Sequence, residues 1–203
     1  MAEAKPRVFV VDDDQGVRES VRILMRSIGV ESEIFPSADD FLEEYDPDKS
    51  GCLVLDVRMP GMSGLELQER LMSLGSTLPI IFVTAHGDVP MAVEAVKAGA
   101  LDFVQKPFRD QELIDKIHEA FAENARVRKK LLDRSRIAER IASLTPRERE
   151  VLDMVVEGNA NKVIAIDLRL SQRTVEIHRA RVMSKMEADS VSQLVQMVMR
   201  ASE

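Results

Sequence analysis

Val8-Phe9-Val10-Val11-Asp12-Asp13-Asp14 sets four apolar residues directly before three carboxylates. The same arrangement returns as Cys52-Leu53-Val54-Leu55-Asp56, as Ile80-Ile81-Phe82-Val83-Thr84 and as Phe103-Val104-Gln105-Lys106-Pro107. Short runs without polar alternation read as strands covered on both faces, the condition of a parallel sheet. A fifth strand is read from Glu31 to Phe35. Between the runs, Val17, Val21, Leu24 and Ile28 recur at helical spacing, as do Gly64, Leu67, Leu71 and Leu74, and Ser37 can cap a helix containing Phe41 and Leu42. Strands and helices thus alternate up to about residue 123. With right-handed crossovers this predicts an α/β unit, a five-stranded parallel doubly wound sheet with helices on both faces.

Ligands of such sheets bind outside the carboxyl ends of the strands. The acidic cluster, Asp56, Thr84 and Lys106 would therefore share one crevice. Moving a phosphoryl group between anionic partners requires an oxygen nucleophile, a cation to screen repulsion, and donors for the equatorial oxygens. Asp56 can be the nucleophile. Asp12 and Asp13, with Asp56, offer hard oxygen ligands suited to Mg²⁺, which accepts few protein ligands and keeps waters. Lys106 supplies a compact positive charge and Thr84 a hydroxyl that can rotate, while Pro107 admits a cis peptide after Lys106. Each residue alone has an ordinary reading: Asp13 or Asp14 as a helix cap, Thr84 and Lys106 as surface residues. Their joint placement at four strand ends favours a common site.

Composition narrows the class. The 203 residues are 45% hydrophobic, enough for packed cores, with eleven Met, one Tyr and no Trp. No apolar run reaches the ~18 residues needed to span a bilayer, and the first residues show no signal-peptide core, so a cytoplasmic protein without membrane association is expected. Cys52 is the lone cysteine, read as a small buried side chain, and His86, His118 and His178 are too scattered for a zinc set. Charge is uneven: residues 1–124 hold 12 basic and 24 acidic side chains, residues 125–142 hold 7 and 2, and residues 143–203 hold 9 of each.

From Arg109 to about Arg140 there is neither Gly nor Pro, and a helical pattern runs from Leu113, Ile117 and Phe121 into Val127, Leu131, Ala138 and Ile141. Two readings follow: an amphipathic helix ending the first unit with a solvated basic linker from Arg126 to Lys130, or a single long linker helix able to pair with a copy of itself. The pattern favours the long helix, without a strict heptad for pairing. Beyond lie punctuated helices. Thr145-Pro146-Arg147-Glu148 is a capping box with Pro at the first helical position, Gly158 is a stop, Asn161 to Leu168 is a second helix, Ser171 caps a third to about Ser184, and Ser190 caps a fourth. Only Arg169 and Leu170 separate the second and third, which is helix-turn-helix spacing. On the third helix Val175, Val182 and Met186 would face the core with His178, leaving Arg173, Ile177, Ala180 and Ser184 outward, flanked by Glu176, Arg179 and Arg181. Residues 161–185 carry a net +4. A helix with small and basic residues outward can enter a major groove, with Lys162, Arg181 and Lys185 on phosphates.

Val11-Asp12-Asp13-Asp14, Leu55-Asp56-Val57-Arg58-Met59-Pro60-Gly61-Met62-Ser63-Gly64, Val83-Thr84-Ala85 and Lys106-Pro107-Phe108 resemble the motifs of the response-regulator receiver domain (flavodoxin-like) over residues 5–123, and residues 85–100 look like its FixJ branch. The resemblance implies Asp56 as phosphoacceptor, an Mg²⁺ site of Asp12, Asp13, Asp56 and the Arg58 carbonyl, Thr84 as switch hydroxyl and Phe103 as switch aromatic. Leu144-Thr145-Pro146-Arg147-Glu148-Arg149-Glu150, Gly158, Asn161-Lys162, Ile164-Ala165, Leu168, Ser171, Thr174-Val175, His178 and Lys185 look like a LuxR-type helix-turn-helix, an all-α four-helix domain over residues 141–203. In that family the third helix reads bases, which implies Arg173, Glu176, Ile177 and Ala180. Glu176 departs from the basic residues often found there.

Together these resemblances imply a regulator of the FixJ/NarL type with residues 124–140 as helical linker. It would be phosphorylated by a histidine kinase, dimerise, bind promoter DNA and regulate transcription with RNA polymerase, with activation favoured and repression left open, and would not be a conventional enzyme. A rival resemblance, to haloacid-dehalogenase-type phosphohydrolases, makes Asp12 the nucleophile and Asp14 the acid/base. It leaves Asp56 and the helical tail without a role.

Overall fold

The computed structural model describes residues 5–85 and 89–202, so His86 lies outside the described residues. The chain divides into two compact units after Arg128.

In the first unit, β1 (Arg7–Val11), β2 (Ser32–Phe35), β3 (Gly51–Asp56), β4 (Ile80–Thr84) and β5 (Asp102–Gln105) form one sheet. Their order is β2-β1-β3-β4-β5 and all pairings are parallel. Side-chain alternation makes two cores. Phe9, Val11, Leu53, Leu55 and Phe82 pack with Phe41 of α2 (Ala38–Glu43) and Leu67 and Leu71 of α3 (Gly64–Ser73). Val8, Val10, Cys52, Val54, Ile81, Val83 and Val104 pack with Val21 and Met25 of α1 (Gln15–Ser27) and Leu113, Ile117 and Ala120 of α5 (Asp110–Ala142). Burial on both faces is why the strands read as unbroken apolar runs. Between β4 and β5 the chain forms α4 (Val89–Lys97).

Several expectations shift. The second strand begins at Ser32, and the predicted stripes lose their last members, since Ile28 and Leu74 are exposed. Ser37 does cap α2, accepting from the Asp40 N–H. Gly51 starts β3 at φ 149°, where a Cβ would fall 1.9 Å from the Arg7 carbonyl oxygen, so no larger residue fits that strand entry.

α5 runs unbroken over 33 residues. Two residues of the stretch 124–140, expected as linker, pack into the units on either side. Asn124 is buried in the first unit, its Oδ1 accepting from Gly51 N–H and Ser50 Oγ (both 3.1 Å) and its Nδ2 donating to the Thr77 carbonyl (2.7 Å). Ile137 is buried in the second. Sequence pattern missed Asn124 because a polar residue on a helix gives no sign that strand and loop backbone groups will converge on it.

The second unit gathers Val151, Leu152 and Val155 of α6 (Pro146–Val156), Ile164 of α7 (Asn161–Asp167), Val175, Val182 and Met186 of α8 (Gln172–Met186) and Leu194 and Met197 of α9 (Val191–Ser202). The predicted capping box is present: Thr145 Oγ1 accepts from the Glu148 N–H and the Glu148 carboxylate from the Thr145 N–H. Ser171 and Ser190 cap α8 and α9, accepting from the Thr174 and Gln193 N–H groups. α8 extends two residues past the predicted Ser184. α7 stops one residue before the predicted Leu168, which becomes its C-cap, and Arg169 turns the chain at φ 55°.

Candidate functional site

Parallel pairing of β1, β3, β4 and β5 puts their carboxyl ends side by side. Val11 pairs with Leu55, so Asp12 and Asp56 leave the sheet as neighbours. The Lys106 N–H donates to the Thr84 carbonyl (2.8 Å), which sets Lys106 beside the end of β4. The Lys106–Pro107 peptide is cis. Lys106 Nζ donates to Asp12 Oδ2 (2.7 Å) and Asp56 Oδ1 (3.0 Å), joining residues 94 and 50 positions away. Both carboxylates are otherwise held by backbone. Asp14 N–H donates to Asp12 Oδ1 (2.9 Å), and Arg58 N–H to Asp56 Oδ2 (3.1 Å).

Asp12 is 2% exposed, Asp56 8%. Burial pushes the Asp56 carboxyl above its usual range and the Asp12 charge adds to this, while the Lys106 ammonium and the Arg58 N–H draw it partly back. For Lys106 burial acts downward, but hydrogen bonds and attraction from Asp12 and Asp56 outweigh it and hold the ammonium above its ordinary value. The lysine is therefore a fixed positive charge in the crevice.

Thr84 is fully buried with its hydroxyl turned to the Ala85 carbonyl (3.3 Å), and Phe103 is partly buried against the α2/α3-side core. Asp13 is exposed beside the pair, and Arg58 is exposed. Asp14 instead caps α1, its Oδ1 accepting from Gly16 N–H (2.7 Å) and Val17 N–H (3.4 Å). That cap occupies the carboxylate that the rival hydrolase reading needs as its acid/base. Gly64 was read as part of a helical stripe, yet it does more: a Cβ there would lie 2.0 Å from the Asp56 carbonyl oxygen, so α3 can start against the end of β3 only with glycine.

Two buried carboxylates and one ammonium leave this crevice with a formal charge of −1, and exposed Asp13 follows Asp12 in the chain. Among the described residues no three carboxylate, imidazole or thiolate groups converge as a ready ligand set. Asp12 and Asp56 nevertheless present hard oxygens whose mutual repulsion Lys106 offsets only in part, and a small divalent cation retaining its waters fits that donor chemistry.

On α8 the outward residues are those expected: Arg173, Glu176, Ile177, Ala180, Arg181 and Ser184 are exposed, as is Lys162 on α7. Two basic residues differ. Lys185, expected on a phosphate, donates instead to Glu148 Oε2 (2.7 Å) and the Ser143 carbonyl (3.0 Å). Arg179 donates to Asn161 Oδ1 (2.8 Å), which ties α8 to the start of α7. Glu148 is 2% exposed, and its bonds from Lys185 and the Thr145 cap lower its carboxyl to about 2. That pairing was not legible in the sequence, because a lysine in the last turn of a basic helix carries no mark of a buried acid on another helix.

A doubly wound sheet with carboxylates gathered round one lysine at its carboxyl edge, followed by a helix-turn-helix body, defines a phosphoryl-receiving module joined to a nucleic-acid reader. Known proteins agree. The family model described as response regulator receiver domain matches residues 8–118, and that described as bacterial regulatory proteins, luxR family, matches residues 142–198. The chain is 43% identical over 203 residues to the response regulator protein TodT of Pseudomonas putida, covering all of this chain and 89% of that one. It is 47% identical over 201 residues to the transcriptional regulatory protein FixJ of Azorhizobium caulinodans, covering 99% and 95%. The solved structure of response regulator StyR superposes with a TM-score of 0.87 at 48% identity, covering 97% of this chain and 100% of that one.

The chain belongs to the two-component response regulators with a receiver domain and a LuxR-type DNA-binding domain. A sensor kinase and DNA are the partners this membership implies, transcription regulation is its role, and receiver domains generally bind Mg²⁺ at the acidic pocket. Among the described residues no helix is long and apolar enough to cross a membrane.

Proposed function

We propose that Asp56 accepts a phosphoryl group from a phosphohistidine of the partner kinase and that the modified chain dimerises, binds promoter DNA and activates transcription with RNA polymerase in the cytoplasm. The observation that carries this reading is the single ammonium of Lys106 shared by Asp12 and Asp56.

An Asp56 carboxylate oxygen attacks phosphorus, an O–P bond forms, and the P–N bond breaks as the imidazole leaves. The Arg58 N–H orients the carboxylate for that attack. Lys106 stays charged throughout and is placed to follow the negative charge from carboxylate to phosphoryl oxygen. Asp12, Asp13, Asp56 and the Arg58 carbonyl would hold Mg²⁺, which when bound screens the phosphoryl oxygens. Thr84 must then give up the Ala85 carbonyl for a phosphoryl oxygen. Its inward turn vacates room for Phe103 and remodels the face of α4, β5 and α5, the proposed dimer surface.

In the second unit Arg173, Glu176, Ile177 and Ala180 are the proposed base-edge contacts, with Lys162 and Arg181 on phosphates. Lys185 is withdrawn from that set. The functional division is receiver 5–123, linker 124–140 and DNA-binding domain 141–203.

Incubation with Mg²⁺ and a small phosphoryl donor, followed by intact mass measurement, tests the core of this reading. A stable phosphoryl adduct on the wild-type chain and none on Asp56→Asn are expected. Equal labelling of Asp56→Asn, or sustained donor turnover lost in Asp12→Asn alone, refutes it.

A further inference from the structure

We propose that the stretch of α5 leading into the second unit is itself a DNA-backbone contact, through Lys129, Lys130 and Arg134. This rests on the reading of α8 as the DNA-binding helix and extends it to residues that no helix-turn-helix motif includes.

Residues 129–140 contain five basic and two acidic side chains. Most of these charges are spent locally. Arg136 faces Asp133 (3.9 Å), Glu139 accepts from Ser135 Oγ (3.4 Å), and Arg140 is held by the Met186 carbonyl (3.1 Å) and the Glu187 carboxylate. Lys129, Lys130 and Arg134 enter no hydrogen bond or ion pair among the described residues. Structural demands of the second unit leave these three cations unused.

Their direction follows from helical spacing. Lys130 and Arg134 precede Ile137 and Ile141 by seven residues each, two turns, so they continue the stripe that packs into the second unit's core. Lys129 lies three turns before Arg140, on the line that reaches the carboxyl end of α8. The unused cations therefore project on the same side of α5 as the helical body, about 5 to 12 Å beyond its last buried contact. Exposed Leu131 and Leu132 lie on the other side. The outward row of α8 runs to Ser184, next to its α5-bound end, so a duplex lying along that row has flanking phosphates near this end. Long cationic side chains on a continuous helix are suited to reach them. A second copy of the same helix is a poor occupant, because pairing would bring like charges together.

The test uses the full chain and random-sequence duplex DNA, with the dissociation constant followed by fluorescence anisotropy against KCl. Neutralising one phosphate contact removes about 0.9 from the slope of log affinity against log salt. The triple variant Lys129→Gln/Lys130→Gln/Arg134→Gln is expected to lower the slope by about 2 to 3 and weaken low-salt affinity at least tenfold. Arg126→Gln, whose guanidinium is already held by Glu123, is the control and should leave the slope in place. A reduction below about 1 in the triple variant, with wild-type binding intact, overturns the linker contact and leaves the α8 reading standing. A wild-type chain with no salt-dependent affinity refutes both.

Discussion

At the scale of single residues the crevice is a balance of like and unlike charge, and two substitutions in it should act with opposite sign. Lys106→Met leaves the Asp12 and Asp56 carboxylates adjacent and without their shared counter-charge. A loss of about 3 kcal/mol of receiver stability is expected. Asp56→Asn removes the group whose ionisation burial and Asp12 disfavour, while Lys106 keeps Asp12 as partner. Without divalent cation it should stabilise by about 1 kcal/mol. Because the Asp56 carboxyl is raised, the native chain binds that proton more tightly than the unfolded chain does. Its ionisation therefore erodes stability as pH rises from the ordinary carboxylate value through the native one, a loss Asp56→Asn should abolish. Thermal melts in EDTA, followed by circular dichroism across that pH range, check both variants.

At the scale of elements, two junctions decide whether site-bearing helices sit correctly. The amino end of α3 lies on the Asp56 carbonyl, and Gly64→Ala forces a Cβ into it. Either α3 or the end of β3 must shift, so a cost above about 2 kcal/mol and slower labelling of Asp56 from a small phosphoryl donor are expected. The second junction is Glu148, which closes the cap of α6 and holds Lys185 of α8. Its carboxyl, lowered to about 2, favours the folded state fully above the unfolded value near 4.5, and that contribution fades as pH falls toward 2. Glu148→Gln should lower the melting transition of the helical unit by the equivalent of about 2 kcal/mol at pH 7. The deficit should shrink in acid titrations as the wild type protonates.

At the scale of the whole molecule, charge separates the two tasks. Residues 1–124 are acidic by a net 12 charges, and residues 125–142 are basic by 5. Mg²⁺ should raise the receiver's melting transition by the equivalent of about 2.7 kcal/mol at a hundred times its dissociation constant. In an Asp12→Asn/Asp56→Asn chain the rise should vanish, which differential scanning calorimetry can read. Phosphorylated wild type should show stronger self-association and tighter promoter binding than Asp56→Asn in sedimentation and footprinting. Unchanged association and affinity would disconnect the crevice from the LuxR-type domain.

Sequence by itself determined the five strands, their parallel class and the four polar residues at their ends, because covered strands must be continuously apolar and parallel strands must end on one edge. It also determined the punctuated tail, since capping boxes and helix stops are local chemistry written within four residues. Tertiary structure alone decided that Lys106 joins Asp12 to Asp56, that Gly64 admits α3 to the Asp56 carbonyl, and that Lys185 meets Glu148. Those outcomes depend on which backbone and side-chain atoms come within about 3 Å across large sequence separations. Periodicity gives the face on which a residue lies; the partner it meets there is set by how the elements pack.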